Sequence, residues 1–341
     1  MMTKKRLQSS PILDFFEFKW KYYVNKLLSV IKITSTTDKF LFVSHAGTSD
    51  WILGAKARRL SKHFKAGSEV LFSEKFKNLP IAPGYFFLHQ KYYAKALRYN
   101  PHLKRAKCIV MFTHPEWNKF YSKSHAFYTL KNASSIICLN HNMAHELMEL
   151  GIPKDRISVF HLASNPEFFQ PKDNRKGQTV GFCCYYSNRK NPELIYDLVM
   201  KMSDINFILV GQNWENYPKF DQLMRAPNFT YYGDKSYEEY PGLYRLMDVF
   251  VSPSYLEGGP VPLLEAMLSN VVPVASNTGF CPDLIKHGVN GFLFDPHTNT
   301  TEEVIDFVQK ALVLEGDVRK DVVAHSWKEY GRKIYALYRL A

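Results

Sequence analysis

No run in this chain of 341 residues approaches the roughly 20 uninterrupted apolar positions that a membrane-crossing helix requires. A secretory leader is not visible either. After Lys4, Lys5 and Arg6 the apolar residues are broken by Asp14, Glu17, Lys19 and Lys21, so a cytoplasmic location is expected. Cysteine is scarce and odd in number. The five thiols, Cys108, Cys138, Cys183, Cys184 and Cys281, lack metal-like pairing, and three of them lie in or at the ends of apolar strand-like runs. That pattern argues against a disulfide framework and for reduced core residues.

Negative charge is also short, and unevenly so. Basic residues outnumber acidic ones seven to two over 1–37 and nineteen to nine over 38–171, whereas the remainder has eighteen against twenty-one. A basic first half beside a slightly acidic second half points either to a solvated basic surface or to a polyanionic neighbour for the first half: a phosphate-bearing acceptor, an anionic membrane surface or nucleic acid.

What the chain has in quantity is apolar and aromatic residues, 46% and 15%, so it should be globular and long enough for two domains with a core each. Residues 11–33 place apolar side chains at helical spacing with lysines between them, an amphipathic segment that either lies on a membrane or packs on the body. From there strands and helices alternate, which predicts a doubly wound α/β sheet in each half. Phe40–Ser44, Ile109–Thr113 and Ser135–Leu139 are strands of the first half. Thr179–Cys184, Phe207–Gly211, Phe229–Gly233, Val249–Ser252 and Val271–Ser276 are strands of the second. Gly47 follows the first strand, where a glycine turn brings backbone close to a ligand, and His114 follows Thr113 at the carboxyl edge. His141 and His145 are four apart with Glu146 next, but no third ligand stands at a recognisable spacing, so no zinc site is expected. The aromatic and basic segment Gln90–Lys107 is a candidate docking face that could also stack single-stranded nucleic acid, although no nucleic-acid fold motif accompanies it.

The most informative stretch is Asp248–Pro296. Gly258 and Gly259 precede Pro260, Val261 and Pro262 and then LLEAML, a turn feeding a helix with proline in its first turn. Such a helix start attracts anions through its unpaired N–H groups and positive dipole end. Glu257 and Glu265 bracket it eight positions apart, and carboxylates suit neutral hydroxyls.

This E-x7-E spacing, the EA after its second Glu, P-V-x-A-S, Gly279 and G-x-N-G-F-L resemble glycosyltransferase family 4. The resemblance covers roughly residues 39–340 and is strongest after Leu243. It implies the GT-B fold: two Rossmann-like domains facing each other across a cleft, with the last helix crossing back to the first. The implied organisation is a basic segment 1–37, an acceptor-side domain 38–165, a linker 166–178, a donor-side domain 179–318 and the closing helix 319–341. It also implies sugar transfer from a nucleotide-sugar donor to a glycan or lipid-linked acceptor, with retention of configuration, in polysaccharide or glycoconjugate synthesis. By resemblance Glu257 holds the sugar hydroxyls, Glu265 the ribose, and His114 the reacting end of the donor. Lys190, the Gly47 loop and the backbone from Gly258 through Gly259 and Pro260 to Val261 surround the pyrophosphate, and Arg189, adjacent to Lys190, is the candidate to replace the family's missing charge. The family's arginine after the strand glycine is replaced, reading from Gly181, by Phe182. No Asp-x-Asp is visible near the site, so no metal and no cofactor are expected. A GT-B phosphorylase, a non-catalytic sugar-binding protein and a nucleic-acid binder are the alternatives.

Overall fold

The computed structural model describes residues 19–23, 35–49, 52–113, 122–171 and 177–340. They form two compact units. One comprises the described residues up to Phe160 and those from Trp327 onward, and the other is His161–Ser326.

The first unit is built on a parallel six-stranded sheet in the order β2-β1-β3-β4-β5-β6. Its strands are β1 (Phe40–His45), β2 (Ser68–Ser73), β3 (Tyr85–Phe87), β4 (Cys108–Phe112), β5 (Ser135–Cys138) and β6 (Ile157–Val159). The central strands β3, β4 and β5 are buried at every position, as continuous apolar runs covered on both faces must be. The helix Trp327–Leu340 belongs to this unit. Tyr335 packs edge-on to Phe64, and Tyr338 to Phe40, with ring centroids 5.3 and 5.0 Å apart. Gly331 lets the helix approach the end of the helix Ile52–Lys62, since a Cβ there would lie 2.8 Å from the His63 carbonyl oxygen. Of the amphipathic segment expected over 11–33, only the helical residues 19–23 are described; 11–18 and 24–33 lie outside the described residues.

The second unit carries a parallel sheet in the order β12-β11-β10-β7-β8-β9. Here the strands are β7 (Thr179–Cys183), β8 (Asn206–Val210), β9 (Phe229–Tyr232), β10 (Val249–Ser252), β11 (Val272–Ser276) and β12 (Phe292–Phe294). Residues 161–171, partly read as linker, pack into this unit. Phe169 is fully buried against Tyr244, and the Arg319 guanidinium donates to the carbonyls of Pro166, Phe169 and Leu268. Residues 172–176 lie outside the described residues. Asn270, which ends the helix Val261–Leu268 where glycine is usual, takes a left-handed φ of 58° as its residue type permits, and its side chain accepts from the Val318 N–H.

No helix among the described residues is long and apolar enough to cross a membrane. All five cysteines are free thiols.

Candidate active site

In an open parallel sheet the crevice for a ligand opens where the chain order reverses, beyond the carboxyl ends of the two strands on either side. In the second unit that place is between β7 and β10. The loops leaving these two strands carry Arg189, Lys190 and Glu257, so the topology places the site residues without further help.

Lys190 donates to Glu257 Oε1 at 2.5 Å, and Arg189 Nη1 lies 3.3 Å from the same oxygen. The two cations are adjacent in sequence, yet they converge. A short 3-10 turn, Asn188–Lys190, closes onto Asn191 in a left-handed conformation, and this turns both side chains inward. Arg189 also donates to the Leu256 carbonyl, while the Tyr255 N–H donates back to the Arg189 carbonyl, which staples the two loops together. Glu257 is buried, and burial pushes its carboxyl pKa up. The charges of Lys190 and then Arg189 outweigh that and hold it below the ordinary value. Glu257 is therefore ionised at neutral pH.

Glu265 sits inside the helix Val261–Leu268, also buried. Its two oxygens accept from the Tyr244 hydroxyl at 3.1 Å and from Ser164 Oγ at 3.4 Å. Burial drives the Tyr244 phenol well above its ordinary pKa, with Cys183 and Glu265 adding to the effect, so Tyr244 stays a donor. Burial likewise lifts the Cys183 and Cys184 thiols to about 12, which removes them as nucleophiles at neutral pH.

The glycines of this loop act through packing. Neither Gly258 nor Gly259 has a positive φ. A Cβ on Gly259 would lie 2.6 Å from the Phe280 ring, and Gly279, at φ 59°, would bring one to 2.9 Å from Glu257 Cβ. Pro260 is the N-cap residue and gives the helix no side-chain cap. Pro260 and Pro262 line a small pocket with Lys190, Cys183, Cys184 and Ser252 to Ser254, which brings a cation and a helix start to one cavity.

Phe182, which follows Gly181 where the resemblance puts an arginine, lies inside β7, fully buried and stacked on Phe207. The first residues beyond β7 that meet the cations are in the following loop: Tyr185, half exposed, accepts from Arg189 Nη2 at 3.3 Å and lies with its ring 5.7 Å from Lys190 Nζ.

In the first unit the order reverses between β1 and β3. Gly47 is there, in the turn Ala46–Thr48, but its N–H donates to His45 Nδ1 at 3.0 Å. The Thr48 hydroxyl, 3.0 Å from Ser44 Oγ, donates to the His45 carbonyl. Beyond β3, the buried Gln90 accepts from the Thr113 N–H at 3.1 Å and donates to its carbonyl at 3.3 Å, pinning the end of β4. His114, one residue further, lies outside the described residues. His145, considered as a metal ligand, faces Glu149 on the next helical turn at 3.2 Å.

Sequence reading missed Tyr244, Ser164, Tyr185 and Gln90. A buried tyrosine hydroxyl needs a partner, so the three tyrosines between Tyr237 and Tyr244 were the available signal for the first.

Residues 164–334 match the family model described as glycosyl transferases group 1. This chain belongs to the glycosyl transferases group 1 family. Among curated members, an O-antigen chain mannosyltransferase B of Escherichia coli is 28% identical over 260 residues, covering 64% of this chain and 68% of that protein. A sucrose synthase of Melioribacter roseus is 29% identical over 117 residues, but the match covers only 31% of this chain and 15% of that relative. The structure of Anabaena Alr3699/HepE in complex with UDP superposes with a TM-score of 0.71 at 16% identity, covering 89% of this chain and all of that one. The lipopolysaccharide outer core galactosyltransferase WaaB gives 0.70 at 14% identity, covering 89% and 99%. With its two parallel six-stranded α/β units, this group 1 member has the GT-B architecture.

Proposed function

We propose that the protein is a retaining glycosyltransferase that moves a sugar from a nucleotide-sugar donor to a glycan or lipid-linked acceptor in polysaccharide or glycoconjugate synthesis. The observation that carries this reading is the convergence of Lys190 and Arg189 on the buried Glu257 beside the start of the helix Val261–Leu268. Two cations and a helix start suit a diphosphate. An ionised carboxylate between them suits sugar hydroxyls, to which it offers charge-assisted hydrogen bonds. The UDP bound by the Anabaena protein of the same fold supports a nucleotide as the donor's leaving part.

In the proposed reaction the acceptor oxygen bonds to the anomeric carbon on the face the leaving phosphate departs from. The bond from that carbon to the phosphate oxygen breaks, and the acceptor's proton passes to the departing phosphate. Lys190 and Arg189 stabilise the charge that develops there, worth most in a site preorganised to receive it. Glu257 orients the sugar and Glu265, held by Tyr244 and Ser164, takes the ribose. His114 is the orienting group at the reacting end. Gly47 takes part only if its N–H leaves His45. With two cations supplying the charge, the reaction should need no metal and persist in EDTA.

A thermal-shift series over nucleotide sugars tests the donor, because a ligand that binds the folded state raises the melting temperature by mass action. Single replacement of Glu257, Glu265, Lys190 or His114 by Ala should each lower transfer at least about a hundredfold, the scale of a lost preorganised contact. No shift with any nucleotide sugar, or near-normal turnover in all four variants, rejects the assignment.

A further inference from the structure

Away from the candidate active site, three segments of the first unit meet through lysine and aromatic contacts. Lys104 Nζ lies 3.6 Å from the ring centroid of Tyr22, Lys19 Nζ lies 5.7 Å from that of Tyr128, and Lys131 Nζ lies 5.0 Å from the same ring. The segments are the helical residues 19–23, the turn around 101–107 and the helix with its flanks, 122–132. Together they hold seven lysines and arginines and no aspartate or glutamate. The lack of acid extends further, since the sequence contains none from Lys75 to Thr113.

The aromatic residues in this group divide in two. Tyr22 is buried, at 5% exposure, and holds residues 19–23 to the body under Lys104. Its neighbours point the other way: Trp20 is 71% exposed and Tyr23 57%, with Phe127 at 37% on the adjoining helix. Large exposed aromatics flanked by lysines, in segments that carry no acid of their own, fit one environment well. An anionic bilayer accepts an amphipathic ring at headgroup depth and attracts the charges around it. A nucleic acid would use the charge equally, but its bases need a groove in which to stack between aromatics, and Trp20 and Tyr23 stand out from the surface.

We propose that the face formed by Trp20, Tyr23, Phe127 and the lysines of these three segments docks on membranes rich in anionic phospholipid. The inference goes beyond the transfer reaction, and the two fail independently, because vesicle binding requires no donor and no turnover.

Flotation of the full chain with vesicles of phosphatidylcholine alone, or with about 30% phosphatidylglycerol, tests it. The protein should float with the anionic vesicles only, and raising salt from about 0.1 to 0.5 M should release most of it. Lys19→Gln with Lys21→Gln should weaken partitioning about fivefold per lysine. Trp20→Ala with Tyr23→Ala should weaken it about tenfold, since both rings would leave the interface. Both pairs are at the surface, so melting temperature and nucleotide-induced shift should match the parent. Lys235→Gln with Arg245→Gln, in the second unit, should float as the parent does. Four results would overturn the proposal: equal flotation with neutral vesicles, no flotation at all, loss in the second-unit variant as large as in the lysine pair, or tighter binding to a single-stranded oligonucleotide than to the anionic vesicles.

Discussion

The two sheets present the same kind of edge and fill it with different chemistry. Between β7 and β10 the edge is ionic: two cations share a buried carboxylate, and a second buried carboxylate is held by a phenol and a hydroxyl. Between β1 and β3 the hydrogen bonds among the described residues put the Gly47 N–H on His45, Thr48 on the His45 carbonyl, Gln90 on Thr113 and the Arg58 guanidinium on the Ser49 carbonyl. Elsewhere in the first unit Lys104 and Lys131 lie over the rings of Tyr22 and Tyr128. A preorganised ionic edge can stabilise a developing phosphate charge, whereas the hydrogen bonds of Gln90, Thr48 and Gly47 position the loops that leave the other edge.

The contrast is tested most severely at Phe182. If ionic character belongs to the loops and not to the strand, Phe182→Arg should bury an unpaired guanidinium and cost at least about 4 kcal/mol, enough to abolish folding. Tyr185→Arg, three residues on and half exposed, should stay within about 0.5 kcal/mol of the parent. Circular dichroism and melting curves of the two variants read this directly. A well-folded Phe182→Arg protein with tightened nucleotide binding would mean that the strand does face the ligand.

A smaller effect is expected at the edge between β1 and β3. Gln90→Ala removes the partner of the buried Thr113 N–H and should cost about 2 kcal/mol of stability. Because Gln90 fixes the end of β4, transfer should fall about tenfold while the nucleotide-induced thermal shift is preserved. Loss of that shift to the same degree would erase the distinction between the two edges.

How far the sequence alone reveals all this depends on the kind of signal. The alternation of apolar runs and turns was enough for a parallel α/β sheet in each half, because strands buried on both faces leave unbroken runs such as Cys108–Phe112 and Val249–Ser252, but the short or half-exposed β2, β3, β6 and β12 were not read from it. Glu257 and Glu265 were legible because their spacing straddles a helix start. The pairing of Arg189 with Lys190 was not. It depends on Asn191 adopting a left-handed conformation, and adjacent side chains on a regular element would diverge. The burial of Phe182 was not legible either: the strand was read through Cys184, but a fully covered strand shows no alternation to say which side chain faces the core. Tyr244 and Gln90 act through partners 21 and 23 positions away, and no local pattern encodes such pairings.

The mildest prediction concerns pH and isolates the ionic edge. Glu257 has its carboxyl pKa held below the ordinary 4.5: burial raises it, but Lys190 and Arg189 lower it by more. A carboxylate with a depressed folded-state pKa contributes stability that is complete above its unfolded value and disappears as pH falls through the folded one. Glu257→Gln keeps the shape and removes the charge, so the parent should be more stable by about 1–2 kcal/mol at neutral pH, in the range for a charge-assisted hydrogen bond. That advantage should be flat from pH 7 down to about 5 and shrink below 4.5. Melting curves of parent and variant across this range measure the difference. Were the advantage to vanish between pH 7 and 6, a histidine rather than Glu257 would control this edge, and its likeness to the edge between β1 and β3 would be greater than the ion pairs imply.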